Sequence, residues 1–149
     1  MNTKELMLGD FVNYRTGWIN EETGKPEYEC EGMFPIKVCF ITPDAVQYEE
    51  EMPDGSIETI EAIEYELFPT PITPEILEKN GLRKLVTYGT EKWTCDNFRL
   101  NVYSSDGTWR FCADTKRNED SVIYVRFVHQ LQHALRLCGL NELADNFKV

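Results

Sequence analysis

At 149 residues the chain has length for one domain or two very small ones. Its 42% hydrophobic content, with 8 Phe, 7 Tyr and 3 Trp, suffices for a buried core and excludes wholesale disorder. A formal net charge of −11 argues against direct binding of nucleic acid or an anionic membrane, both of which need a basic face.

The charge is unevenly placed. Residues 1–66 hold 16 Asp/Glu against 4 Lys/Arg, a balance of 4 − 16 = −12. Residues 67–149 hold 11 Lys/Arg against 10 Asp/Glu, a balance of 11 − 10 = +1. Between them lies Phe68-Pro69-Thr70-Pro71-Ile72-Thr73-Pro74, whose prolines favour extended backbone and interrupt regular structure.

In the acidic half, a turn at Gly9-Asp10 leads into a strand through Phe11, Val12 and Tyr14. A long polar loop is expected over 16–32, punctuated by Gly17 and by Gly24-Lys25-Pro26. Three β-rich runs follow: Pro35–Ile41, Ala45–Met52 and Ser56–Ile60. The last two are separated by Pro53-Asp54-Gly55, a turn whose proline presets φ and whose glycine accepts a positive one. Glu64–Leu67 alternates polar and apolar residues and reads as a short fifth strand.

The near-neutral half opens on a well-punctuated helix. Thr73 suits the N-cap, Pro74 the first helical position and Glu75 the positive helix end, while Asn80-Gly81 supplies a left-handed stop. Strands are expected over Lys84–Tyr88, Phe98–Tyr103, Trp109–Phe111 and Val122–Phe127, with a hairpin turn at Ser105–Thr108 and a polar loop over Asp114–Ser121. From Phe127 to Leu137 a helix places Phe127, Val128, Leu131, Ala134, Leu135 and Cys138 on one face and His129, His133 and Arg136 on the opposite, solvent face. Gly139 ends it. The pattern is mainly β and α+β: an acidic SH3-like small β-barrel over 1–68, then an α+β unit over 69–149. That second unit holds a short helix, a three- or four-stranded antiparallel sheet and a C-terminal helix, and is expected to pack against the barrel.

Residues that bear on function are few. Trp18 and Tyr28 stand in the long loop among Glu21, Glu22, Glu27 and Glu29, a mix suited to a proline-rich or basic peptide. Glu49, Glu50 and Glu51 close one strand, and Glu58, Glu61, Glu64 and Glu66 mark the next stretch. Alternate strand residues share a face about 6.8 Å apart, so such rows either dock a basic partner or are an ordinary solvated face. A row of this kind also admits an acidic mimic of DNA that inhibits a DNA-binding protein. No nucleotide loop or G-x-S-x-G is present, so no catalytic residue and no cofactor is expected. A Cys-dependent enzyme pairing Cys112 with His129 is the remaining catalytic alternative. His129 and His133 have helical zinc spacing, but Gln130 stands where H-E-x-x-H needs Glu, and no metal site is expected.

Five cysteines without a C-x-x-C pair indicate a reducing compartment, with Cys39 and Cys138 as small core residues. The start has no basic and apolar leader, and no apolar run approaches the ~20 residues a bilayer requires, so a cytoplasmic location without membrane contact is expected. Oligomeric state is not legible. The segments Leu8–Val12, Pro71–Gly81 (PITPEILEKNG) and Val128–Leu135 (VHQLQHAL) resemble a group of small proteins of gut bacteria, often found in prophage or mobile-element neighbourhoods and without an established activity. The resemblance implies a bacterial, cytoplasmic protein of mobile-element origin. With it, the expected role is a non-catalytic protein- or peptide-binding module whose apolar contact lies around Trp18 or Trp93.

Overall fold

The computed structural model describes residues 1–29, 32–87, 90–96, 98–102, 107–113 and 122–149. Two compact units, Met1–Thr70 and Pro71–Val149, divide the chain. The first is all strands and 3₁₀ turns, and the second sets a sheet and helices together, so the protein is mainly β and α+β.

In the first unit β1 (Phe11–Tyr14) follows a turn in which Gly9 takes a φ of +82°. The buried Asp10 carboxylate accepts the Met7 N–H at 2.9 Å, closing that turn. The expected loop over 16–32 is instead a β-hairpin of β2 (Gly17–Ile19) and β3 (Pro26–Tyr28), with Ile19 opposite Pro26. Its tip is set by Asn20, whose Oδ1 accepts the N–H groups of Glu22 and Thr23, both at 2.9 Å. Such an Asx turn supplies locally what the polar composition concealed.

The run 35–41 is broken into β4 (Phe34–Lys37) and β5 (Phe40–Ile41). β4 pairs with β1, and β5 pairs with β6 (Ala45–Glu51), which pairs with β7 (Ile57–Ile63). At the break Val38 turns inward, and Cys39, expected in the core, is exposed. Between β6 and β7, Gly55 has a φ of +82° and Asp54 Oδ1 accepts from the Ser56 N–H and hydroxyl at 2.9 and 2.6 Å. Residues 64–66 form a 3₁₀ turn rather than a strand, and β8 (Leu67–Phe68) then returns to β1. The ladders give three sheets, β4-β1-β8, β2-β3 and β5-β6-β7, around a core that includes Val12, Tyr14, Ile36, Val46, Tyr48 and Leu67. Tyr14 packs at 5.3 Å from Tyr48 and at 5.2 Å, edge-on, from Phe34.

The second unit begins with α1 (Pro74–Lys79), where Thr73 Oγ accepts the Ile76 N–H. β9 (Arg83–Thr87), β10 (Thr90–Thr94), β11 (Phe98–Val102), β12 (Trp109–Ala113) and β13 (Val122–Val125) form one antiparallel meander in chain order. The expected three or four strands become five because Thr90–Thr94 is itself a strand, its alternation diluted by Glu91 and Lys92. Tyr88, Tyr103, Ser105, Asp106 and the loop 114–121 lie outside the described residues. Trp93, expected as a surface contact, is 1% exposed, directly opposite Leu100 in the sheet.

α2 (Val128–Leu137) packs against β12 and β13 and is followed by α3 (Asn141–Asp145). α3 corrects the expected solvent face of α2. Gln132, fully buried, donates its Nε2 to the Ala144 carbonyl at 2.9 Å, and His129 is only 3% exposed. Covering by a second helix widens the buried arc of α2 beyond its apolar stripe. Cys138, expected in the core, is half-buried at the helix end, where partial burial raises its thiol pKa.

Candidate functional site

The β2/β3 hairpin is held from its base. Tyr28 donates its hydroxyl to the Tyr65 carbonyl at 3.0 Å and sets its ring edge-on to Phe68, centroids 5.6 Å apart. The Arg15 guanidinium lies 4.4 Å from the centre of the Tyr28 ring, a cation–π contact. On the facing strand Gly17 is obligatory for space: a Cβ there would stand 2.7 Å from both the Glu27 carbonyl oxygen and the Tyr28 ring. The Gly17 N–H donates to Glu66 Oε1 at 3.2 Å, and Glu66 Oε2 accepts the Ile63 N–H at 3.1 Å. One nearly buried carboxylate thus ties the hairpin to the end of β7.

This anchoring separates the roles of the two hairpin aromatics. Tyr28 is half-buried and committed to the frame, whereas Trp18 is displayed at 48% exposure beside Ile19 at 43%. Glu21, Glu22, Glu27 and Glu29 are all exposed around this pair. Glu27, opposite Trp18, accepts from Asn20 Nδ2 at 2.7 Å. The hairpin therefore displays two exposed apolar side chains, which strand alternation sets on opposite faces, with exposed carboxylates along its strands and tip. Composition revealed the aromatics and acids. Gly17 read only as a loop glycine and Glu66 only as one of a row of acids; their anchoring roles, and the display of Ile19, carried no local signal.

Glu49, Glu50 and Glu51 are exposed at the end of β6, in a different sheet from the hairpin. Strand alternation puts Glu49 and Glu51 on one face and Glu50 on the other. Glu50 stands directly opposite Glu58 of β7. Tyr48 lies two residues before Glu50, and burial, with Tyr14 and the Glu50 and Glu66 charges, pushes its phenol well above the ordinary tyrosine range.

His129 stacks parallel to Phe127 at 5.9 Å and meets His133 edge-on at 6.0 Å. Among the described residues no group of three or more His, Cys, Asp or Glu could hold a metal ion. Cys112 is buried on β12, where it alternates with Phe111 and so faces the other side of the sheet. Among the described residues no helix is long and apolar enough to cross a membrane. Compared with protein-family models, curated proteins and solved structures, the chain matches none.

Proposed function

We propose that the chain is a non-catalytic protein- or peptide-binding module whose β2/β3 hairpin docks a basic segment of a partner protein. The observation that carries this reading is the pre-anchored hairpin displaying Trp18 and Ile19 among exposed carboxylates. An apolar contact supplies affinity, flanking acids select a basic sequence, and a rigid hairpin loses little freedom on binding. The first unit is best read as an SH3-like barrel. In support, a long hairpin follows the first strand, and β4 and β5 share one run between two sheets. A tight turn joins β6 to β7, and a 3₁₀ turn precedes a short last strand returning to β1. The resemblance to bacterial mobile-element proteins favours a cytoplasmic setting for this role.

Tryptophan fluorescence tests the proposal directly. Trp93 and Trp109 are 1% and 7% exposed, so Trp18 dominates the quencher-accessible emission. Titration with a basic peptide containing proline and apolar residues should give a saturable blue shift that Trp18→Phe abolishes. Binding by polylysine alone, lost fully with added salt and unaffected by Trp18→Phe, would refute it. A DNA-mimic role would instead map binding of a DNA-binding protein to Glu49, Glu50, Glu51 and Glu58, with steep salt dependence.

A further inference from the structure

Net charge summed over the chain conceals a segregated surface on the second unit's sheet, β13-β12-β11-β10-β9. Successive strand residues point to opposite faces. Trp93, Leu100, Phe111 and Val125 fall on the face against which α2 packs, each at most 1% exposed. The residues between them fall on the outward face. Register sets Leu85, Lys92, Arg110 and Tyr124 in one row across the sheet, with position 101 between Lys92 and Arg110. Arg83 and Thr94 lie in the next row. Arg83 and Arg110 are exposed, Lys92 is half-buried, and Leu85 and Tyr124 are 45% and 54% exposed. Of the described side chains on this face only the small Cys112 is buried.

The cations here are not neutralised by the fold. At the outward positions of the five strands the sequence has no Asp or Glu and four Lys/Arg, the fourth being Arg99 in register with Thr94. On the α2 side, by contrast, Lys84 pairs with Glu91 at 2.8 Å. Among the described residues Lys92 and Arg110 have no ion-pair partner. Arg83 reaches Asp96 only at 3.9 Å, with the two side chains 80% and 96% exposed, a contact of little strength. Lys92 and Arg110 stand two strand spacings apart, about 10 Å, and Tyr124 is directly opposite Arg110. At physiological salt a charge acts over about 8 Å, so recognition follows the charges present on a face rather than the sum over a chain.

We propose that this outward sheet face binds single-stranded nucleic acid, with Arg83, Lys92 and Arg110 meeting phosphates and Tyr124 stacking on a base. Unpaired cations beside an exposed aromatic ring on an open sheet are the elements that sequence-tolerant single-strand binding uses. A duplex hides its base faces, and its grooves admit a helix or a two-stranded ribbon rather than the broad face of a sheet. An acidic protein segment would satisfy the cations but give Tyr124 no stacking partner. The face lies in the second unit, so the proposal does not rest on the hairpin.

The test is fluorescence anisotropy of a labelled oligothymidylate titrated with the full chain from low to physiological salt. Saturable binding is expected, with log affinity falling against log salt at a slope of about −2, as three phosphate contacts give on a single strand. Lys92→Gln with Arg110→Gln should reduce that slope to about −0.7. Tyr124→Leu should cost about tenfold in affinity and leave the slope unchanged. Annealing the probe to oligoadenylate should weaken binding. Four results overturn the proposal: no saturable binding at low salt, equal binding of the duplex, affinity indifferent to both variants, or polyglutamate of matched charge competing as well as unlabelled oligothymidylate. The last would mark an acidic protein segment as the occupant. The duplex and polyglutamate comparisons need no variant and so do not depend on any substituted chain folding.

Discussion

Glu66→Gln tests whether the hairpin is held from its base. The side chain is 8% exposed, and its two oxygens accept from Gly17 at 3.2 Å and Ile63 at 3.1 Å. Glutamine presents one oxygen and one NH₂, so one of these backbone N–H groups is left facing a donor. An unmet, largely buried donor costs about 1–3 kcal/mol, and the surviving bond falls from the charged class to the neutral one, losing about 1 kcal/mol more. A total of about 2–4 kcal/mol follows, which in a unit of this size lowers Tm by about 10–30 °C. Hydrogen exchange on the full chain is the suitable assay, because amides of the two units report separately. The Gly17 and Ile63 amides should lose protection first, with the rest of the first unit following. A loss under about 0.5 kcal/mol, with Gly17 exchange unchanged, would refute the carboxylate clamp and the pre-anchoring on which the hairpin's binding role depends.

Three further outcomes follow from the packing. Gly17→Ala puts a methyl 2.7 Å from the Glu27 carbonyl and the Tyr28 ring, so β2 and β3 must separate; a cost of about 1–3 kcal/mol is expected, with Trp18 more accessible to acrylamide. Gln132→Leu removes the bond to the Ala144 carbonyl, and an unmet buried acceptor costs about 1–3 kcal/mol, read as faster exchange of α3 amides. The folded Tyr48 phenol titrates above its ordinary value of 10.0, chiefly through burial. Its contribution is complete below that value and declines at higher pH, where the unfolded chain ionises and the folded one does not. Phenolate absorbance should show one tyrosine ionising only as the first unit unfolds in alkali, and ionisation of all tyrosines in the ordinary range would contradict it.

What the sequence disclosed and what it hid divide by distance along the chain. α1 was fully legible because its Thr73 cap, Pro74 and Gly81 stop act within a few residues of one another. The Asp54-Gly55 turn was legible for the same reason. The β2/β3 hairpin was hidden because its anchors are remote: Glu66 lies 49 residues from Gly17 and Tyr65 lies 37 from Tyr28. β10 is ordered by register with β9 and β11, which overrides a weak alternation. His129, expected on the solvent face, is buried, and Gln132 is buried outside the apolar stripe, because periodicity sees a helix and not what packs on it. At the candidate site, Trp18 and the glutamates were visible as residue types, but which aromatic would be displayed was decided by the Tyr28 hydrogen bond.

The acidity of the first unit therefore has two parts with different consequences. Asp10, Glu27, Asp54, Glu64 and Glu66 accept hydrogen bonds from the unit's own backbone or side chains and belong to its frame. Glu50 and Glu58, by contrast, face each other across the β6–β7 ladder, and like charges so placed destabilise a sheet by about 0.2–1 kcal/mol. Glu58→Lys turns that repulsion into attraction and should raise the stability of the first unit by about 0.5–1 kcal/mol at low salt, with the gain shrinking as salt is added. It should also slow association with a basic partner, because one displayed negative charge becomes positive. Stability and binding then move in opposite directions from one substitution, as expected where a surface charge is retained for recognition rather than for folding. If Glu58→Lys stabilises the unit and leaves association with the basic peptide unchanged at every salt concentration, the β6–β7 carboxylates take no part in recognition, and selectivity falls to the hairpin glutamates alone.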